Sequence, residues 1–258
     1  IRIYKKRRKV YCSFSYTAHR ITMYKLDIII PVYNEDERII DLIKNLQAEI
    51  NFSFRMFICF DNDDDATLLH LKDKKNINTE MVFVKNPTKG PNSAILEGIK
   101  KSSSNIILVY MADDFENIKI INDMIKYIDE GNDLVIPSRF INGGKMIGAK
   151  PIKEFITRAG SLLIFYVAHI PFKDCTNAFK MFNKKVKENI TFQSSKGFTY
   201  SLELVAKSYF LNFKIKEIPS IWKEVPNRKS NFQIIKWIPF YIYWLMYAVL
   251  KNLFKKKK

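Results

Sequence analysis

Leu26-Asp27-Ile28-Ile29-Ile30-Pro31-Val32-Tyr33-Asn34-Glu35 is the stretch from which the fold is read. It is an apolar run rich in β-branched isoleucine that stops in polar residues, so 26–33 reads as a buried strand. Ile39, Ile40, Ile43, Leu46 and Ile50 then recur at helical spacing, and 36–49 reads as an amphipathic helix. The alternation repeats: 54–61, 81–86, 105–112 and 133–139 read as strands, and 64–74, 92–102 and 117–130 as the helices between them. That pattern predicts an α/β chain with a mostly parallel central sheet flanked by helices. In such sheets ligands lie beyond the carboxyl ends of the strands. Those ends are Asn34-Glu35, residues 61–65 and 86–92, Asp113-Asp114 and Ser138-Arg139, nearly all polar or charged.

Past Gly144 the reading changes to an apolar helix over 155–170, a short strand over 178–182, a helix over 199–210 and a strand over 213–222. Residues 237–250 carry no charge, are flanked by Lys236 and Lys251, and are followed by Lys255 to Lys258. As a helix they span roughly 21 Å, short of a hydrocarbon core of about 30 Å. Pro239 is expected in the first helical turn, where it is tolerated. Trp237, Tyr241, Tyr243, Trp244 and Tyr247 suit the headgroup level and the lysines suit anionic lipid, so an apolar membrane-associated helix is expected. A core helix, an oligomer interface and a tilted span running on through Phe254 are the alternatives.

Composition excludes several classes. With 258 residues, 47% apolar and 14% aromatic, there is material for a substantial core, and 8 glycines and 9 prolines exclude a low-complexity chain. Cys12, Cys59 and Cys175, with His19, His70 and His169, are too few and scattered for a disulfide framework or a Cys/His zinc site. The net charge of +17 is concentrated at the ends. Residues 1–25 hold 8 basic and no acidic residues, 207–258 hold 12 and 2, and the middle holds 23 and 24. A nucleic-acid-binding domain would spread positive charge over its folded face, so a membrane surface is the expected partner and nucleic acid is not. No apolar stretch of about 7–15 residues follows the basic start, so 1–24 is not read as a secretory signal. It is read as a basic N-terminal arm, disordered or preceding a natural start at Met23. The expected division is this arm, a domain over 25–232 with halves at 25–140 and 141–232, and the apolar helix with its basic tail over 233–258.

Ile30 to Glu35 after the first strand, the acidic residues 61–65 after the second and Met111-Ala112-Asp113-Asp114 after the fourth are each weak alone, because a carboxylate after a strand often caps the next helix. In this order and spacing they resemble the nucleotide-sugar domain of family 2 glycosyltransferases, which implies the Rossmann-like GT-A fold over about residues 26–232. The second half is similar to the polyprenyl-phosphate sugar synthases, of which dolichol-phosphate mannosyltransferases are the familiar members. It carries Ile-Pro-Ser-Arg at 136–139, Thr-Arg-Ala-Gly at 157–160, Asp-Cys-Thr-Asn-Ala-Phe-Lys at 174–180, Gly-Phe-Thr-Tyr-Ser-Leu-Glu-Leu at 197–204 and Ile-Pro-Ser-Ile-Trp at 218–222.

The resemblance implies an inverting transfer of a sugar from a UDP- or GDP-sugar to a polyprenyl phosphate, on a membrane-associated enzyme whose active site faces the cytoplasm. A divalent cation, Mg²⁺ or Mn²⁺, is implied, with Asp113 as its main ligand and Asp114 and Glu116 supplying the oxygens lost where Met111 replaces a carboxylate. Favouring the N-terminus of the next helix is the alternative role for Asp114 and Glu116. Pro31, Tyr33, Glu35, Asp61 and Lys89 are the expected nucleotide-binding residues, although Phe60 and the lost glycines depart from the family pattern. A polyprenyl phosphate is already an anionic nucleophile, so it calls for a cationic clamp more than for a base. By resemblance that clamp is Arg139 and Arg158, with Ser161 nearby. Asp174, Thr176 and Asn177 form the loop under sugar and acceptor, or else a simple turn. Glu203 binds a sugar hydroxyl or else pairs with Lys207 at i,i+4. Arg228, Lys229 and Ser230 stand where the family has a further basic turn, Val225 and Asn231 having replaced its arginine and lysine. A family 2 transferase with a glycan acceptor and a non-catalytic membrane-binding module are the competing readings, and oligomerisation is left open.

Overall fold

A computed structural model describes residues 24–72, 77–224 and 234–255. The basic arm and Met23 lie outside them, as do Arg228, Lys229 and Ser230. The first half runs β1 (Leu26–Pro31), α1 (Arg38–Glu49), β2 (Phe54–Phe60), α2 (Ala66–His70), β3 (Met81–Lys85), α3 (Pro91–Lys101), β4 (Ile106–Val109), a 3₁₀ turn (Ile118–Ile120), α4 (Ile121–Asp129) and β5 (Leu134–Ser138). The second runs β6 (Lys145–Ile147), α5 (Pro151–Tyr166), β7 (Lys180–Asn183), α6 (Lys184–Asn189), α7 (Tyr200–Phe210), β8 (Ile215–Pro219), β9 (Ile221–Lys223) and α8 (Ile234–Lys255).

Seven strands form one sheet in the order β3-β2-β1-β4-β7-β5-β8. Neighbours are parallel except that β7 runs antiparallel to both β4 and β5. Alternation along β1 sorts the two faces: Ile28 and Ile30 enter a core with α1 and α4, and Ile29 enters one with α3, α7 and α8. Helix α3 comes unusually close to the sheet at Gly98, where a Cβ would stand 2.5 Å from Ile29 and 2.8 Å from Cys59. β6 pairs with β9 as a separate parallel ribbon beside the sheet's end.

The C-terminal helix corrects the expectation for Pro239. It starts before Trp237, so Pro239 lies inside it and not in its first turn. One face of it packs on the domain: Trp244, Ala248 and Asn252, at successive i,i+4 positions, are buried, and Asn252 donates to the Ala168 carbonyl at 3.1 Å. The opposite face, with Ile242, Tyr243, Met246, Leu250 and Leu253, is exposed. Among the described residues no helix is long and apolar enough to cross a membrane.

Candidate active site

A cavity of about 900 Å³ opens at the carboxyl ends of the parallel strands. Three strand termini contribute to its polar lining. Pro31, Tyr33 and Glu35 follow β1, and their loop is locked to the start of α2 by reciprocal bonds: Asp65 accepts the Asn34 N–H at 3.1 Å, and Asn34 accepts the Ala66 N–H at 3.1 Å. The Glu35 N–H donates to Thr67 at 2.9 Å, which holds this segment on the cavity rim. Asp61, after β2, accepts the Gly90 N–H at 3.0 Å and the Asn86 amide at 2.6 Å. It thereby fixes the turn that brings Lys89 and Gly90 into the cavity; Gly90, at φ 115°, holds a conformation side chains resist. Asp113, after β4, lines the same space.

Arg139, just after β5, lines the same cavity. Its guanidinium is nearly buried and forks onto Asp174, with Nε donating at 2.7 Å and NH2 at 2.8 Å, while NH2 also reaches Thr176 at 3.2 Å. Nε and NH2 are thus occupied by protein, and the NH1 donors are left for a ligand among the described residues. Burial alone would raise the Asp174 carboxyl, but the Arg139 charge and hydrogen bonds outweigh it and hold it below the usual carboxylate range. Apolar walls are supplied by Phe155, Ile156, Leu163 and Ile164 from α5 and by Trp237, Tyr241, Ile242 and Leu245 from α8.

Residues 27–191 match the model of glycosyl transferase family 2. The chain belongs to that family. Among relatives of this family 2 transferase is the dolichol-phosphate mannosyltransferase of Pyrococcus furiosus, 26% identical over 200 residues that cover 76% of this chain and 55% of that one. Another is the poly(ribitol-phosphate) beta-N-acetylglucosaminyltransferase TarS of Staphylococcus aureus, 26% identical over 127 residues, covering 47% of this chain and 22% of TarS. The chain therefore spans little more than half the length of the first relative and less of the second. In fold it is similar to glucosyl-3-phosphoglycerate synthase from Mycobacterium tuberculosis, solved with Mn²⁺, UDP and glucosyl-3-phosphoglycerate (TM-score 0.63, 12% identity, 88% of this chain and 79% of that one). It is also similar to S. aureus TarS (TM-score 0.59, 18% identity, 89% and 65%). The architecture is GT-A-like, and residues 27–191 are the family 2 glycosyltransferase domain within it.

Several residues expected in this transferase's site stand elsewhere. The three carboxylates expected on a metal are not assembled, and among the described residues no group of three or more metal-ligating side chains is. Asp114 turns into the protein, where Asn117 donates to both its oxygens at 2.9 and 2.7 Å and is itself tied to Ile221. Burial pushes the Asp114 carboxyl up to about 7 against those hydrogen bonds. Glu116 pairs with Lys223 at 3.0 Å. Arg158 does not line the cavity: it stands about 200° around α5 from the lining Gly160, is exposed, and pairs with Glu154 at 3.7 Å. Both arginines flank one ring, Phe140, at 5.2 and 5.3 Å. Ser161 is buried beneath α5, outside the cavity lining. Glu203 is buried too, accepting the Gln193 and Ser194 N–H groups at 2.6 and 2.7 Å and Lys207 at 2.6 Å, so it holds a loop and has no oxygen facing a sugar. Asp174 underlies Arg139 and does not reach the cavity, whereas Thr176 and Asn177 line it.

Sequence reasoning passed over three residues that shape the site. Lys180 is wholly buried, its ammonium bonded to the Asn177 and Phe179 carbonyls, and burial pulls it down to about 8 against the opposing Asp174 charge. A charged residue closing the otherwise apolar Ala178-Phe179 run was the available signal. Tyr241 reaches the cavity from α8, its phenol pushed up by burial with the Arg139 charge opposing. Asn92, buried at the start of α3, ties that helix to the loop before α7, and no local pattern distinguishes it.

Proposed function

We propose that this glycosyltransferase moves a sugar from a nucleotide diphosphate donor to a polyprenyl phosphate at a membrane surface, with inversion at the anomeric carbon. The observation that carries the reading is the mixed lining of the cavity: carboxylates and Lys89 from the strand ends, Arg139 after β5, and apolar side chains from α5 and α8. Outside the cavity lining, Leu162 and Tyr166 of α5 and Tyr243 and Met246 of α8 are exposed apolar side chains. A water-soluble acceptor has no use for such apolar walls. A phosphate on a long hydrocarbon uses both kinds of lining, with its tail against the helices and its charge at Arg139. The outward apolar faces, with the lysines at the C-terminus, suit an anionic membrane surface.

In this reading Tyr33, Pro31 and Asp61 frame the nucleoside and Lys89 neutralises diphosphate charge. The donor set fits a hard divalent cation held by one protein carboxylate, Asp113, since Mg²⁺ and Mn²⁺ accept one or two carboxylates and complete their shell with phosphate and water oxygens. Such a cation supplies positive charge to the leaving nucleoside diphosphate. Arg139 fixes the acceptor phosphate through its NH1 donors, its own orientation being set by Asp174, so that a phosphate oxygen faces the anomeric carbon. The apolar walls keep water, the competing nucleophile, from that carbon.

Label transfer from a panel of UDP- and GDP-sugars to a short polyprenyl phosphate in detergent tests the proposal, with Mg²⁺ or Mn²⁺ and an EDTA control. A chloroform-soluble labelled product lost with EDTA is expected. Label passing only to a water-soluble glycan would transfer the assignment to a polysaccharide acceptor. Silence with every donor would make loss of activity, through Phe60 and Met111, the better reading.

A further inference from the structure

Among the described residues five cationic side chains line the cavity: Lys89, Arg139, Lys153, Lys196 and Lys223. Three have acidic partners, Arg139 with Asp174 at 2.7 Å, Lys153 with Glu224 at 2.8 Å and Lys223 with Glu116 at 3.0 Å. Lys89 and Lys196 form no ion pair among the described residues. Lys89 has its place beside the donor; Lys196, in the loop between α6 and α7, has none so far.

The backbone that presents Lys196 is held from every side. Glu203 takes the N–H groups of Gln193 and Ser194 at the loop's start. Asn92 donates to the Ser194 carbonyl at 2.9 Å and accepts the Tyr200 N–H at 3.1 Å, gripping both ends. The Thr199 hydroxyl donates to the carbonyl of Lys196 itself at 2.7 Å. Gly197, at φ 60°, lies so close to the Trp237 ring that a Cβ would stand 2.7 Å from it. A surface loop needs none of these constraints to keep a lysine solvated. They make sense for a cation that must wait at a fixed place, because a preorganised donor loses less freedom when its ligand arrives. Asn92 follows the turn bearing Lys89, so one buried amide sets the spacing of the two unpaired lysines.

We propose that Lys196 is a phosphate-binding residue of this cavity, its ammonium taking a phosphate oxygen of the donor diphosphate or of the acceptor monoester, and that Asn92 positions its loop. The inference rests on the phosphoryl-ligand reading of the cavity given above.

Wild type, Lys196→Ala and Lys196→Arg, each as the full chain in detergent, are titrated with UDP, GDP and farnesyl phosphate, and with uridine and farnesol as uncharged counterparts. Lys196→Ala is expected to weaken one class of phosphate ligand about tenfold, as for loss of one charge-assisted hydrogen bond, with the uncharged ligands unmoved. Lys196→Arg is expected to stay within about threefold of wild type. Weakening confined to the nucleotides places the contact on the donor, and weakening confined to farnesyl phosphate places it on the acceptor. Lys196→Ala binding every phosphate ligand within about twofold of a wild type that binds them well overturns the role of Lys196 alone. A wild type that binds no phosphate ligand overturns the function proposed for the cavity, and this inference with it.

Discussion

Asp174 holds Arg139 by both side chain and main chain: Oδ2 accepts Nε at 2.7 Å and the Arg139 N–H at 3.0 Å, while Oδ1 accepts NH2 at 2.8 Å. The carboxylate is fully buried, so its removal leaves the guanidinium without its counter-charge, and removal of Arg139 leaves a buried carboxylate that has lost its forked hydrogen bonds and keeps only the neighbouring Lys180 charge. Arg139→Ala is expected to cost about 3–5 kcal/mol of stability as well as the transfer activity. Arg139→Lys is expected to restore part of the stability and little of the activity, because a lysine cannot fork onto Asp174 and still present donors to a ligand. Urea unfolding beside the transfer assay checks both.

The same pair predicts a pH dependence. The Asp174 carboxyl lies lower in the folded chain than in the unfolded one, so the folded state binds fewer protons in the window between the two values, and stability rises with pH there. Its contribution is therefore complete above the ordinary carboxylate value of about 4 and is lost as pH falls through the depressed value. The stability gap between wild type and Asp174→Asn is expected to be constant from pH 6 to 7, on the order of a few kcal/mol, and to narrow below pH 4. Denaturant midpoints measured across that range decide it; a gap that widened in acid would contradict the ion pair.

Gly197 and Trp237 form a second contact with a measurable outcome. A Cβ at 197 would meet the ring at 2.7 Å and strain a φ of 60°, so Gly197→Ala is expected to destabilise by about 1–3 kcal/mol. Trp237→Leu in the same chain should recover the steric share and leave the backbone share. A double-mutant cycle in urea reads the coupling, expected at about 1 kcal/mol or more.

The two faces of α8 should respond differently. Trp244→Ala is expected to cost about 3–5 kcal/mol, because this large side chain is buried against the domain. Tyr243→Glu with Met246→Glu, on the exposed face, is expected to leave the melting transition nearly unchanged and to reduce binding to anionic vesicles by tenfold or more, on the order of the apolar area removed from the interface. Vesicle co-sedimentation beside a thermal melt separates the two effects.

Asp113 and Glu116 should likewise part company. Asp113→Ala is expected to lower transfer by at least about a hundredfold and to remove its response to EDTA. Glu116→Gln is expected to keep both, because the Glu116 carboxylate is outside the cavity lining and pairs with Lys223.

Much of this was legible along the chain. The parallel strands, the helices between them and the strand ends that carry Glu35, Asp61, Lys89 and Asp113 follow from periodicity and from the rule that ligands gather at carboxyl ends. Where the reading missed, residues alike in sequence differ in orientation. Asp113 and Asp114 are neighbours, yet one lines the cavity and the other caps a turn through Asn117. Arg139 and Arg158 look equivalent as cations, but a helix turns Arg158 away from the space that a strand end opens to Arg139. The resemblance offered Glu203 and Asp174 as ligands beside a Lys207 pair and a turn as the alternatives; both are fully buried, and Glu203 does pair with Lys207 at 2.6 Å.

Hydrophobic period and strand-end chemistry determined the fold class and which strand-end residues meet in the cavity, because both act over a few residues. Which cations share the cavity, that α8 closes it, and that Asn92 spaces the two unpaired lysines were decided only in three dimensions. Those relations join residues far apart in the chain, and nothing local distinguishes a side chain that faces the cavity from one that a single further residue of helical rotation turns away from it.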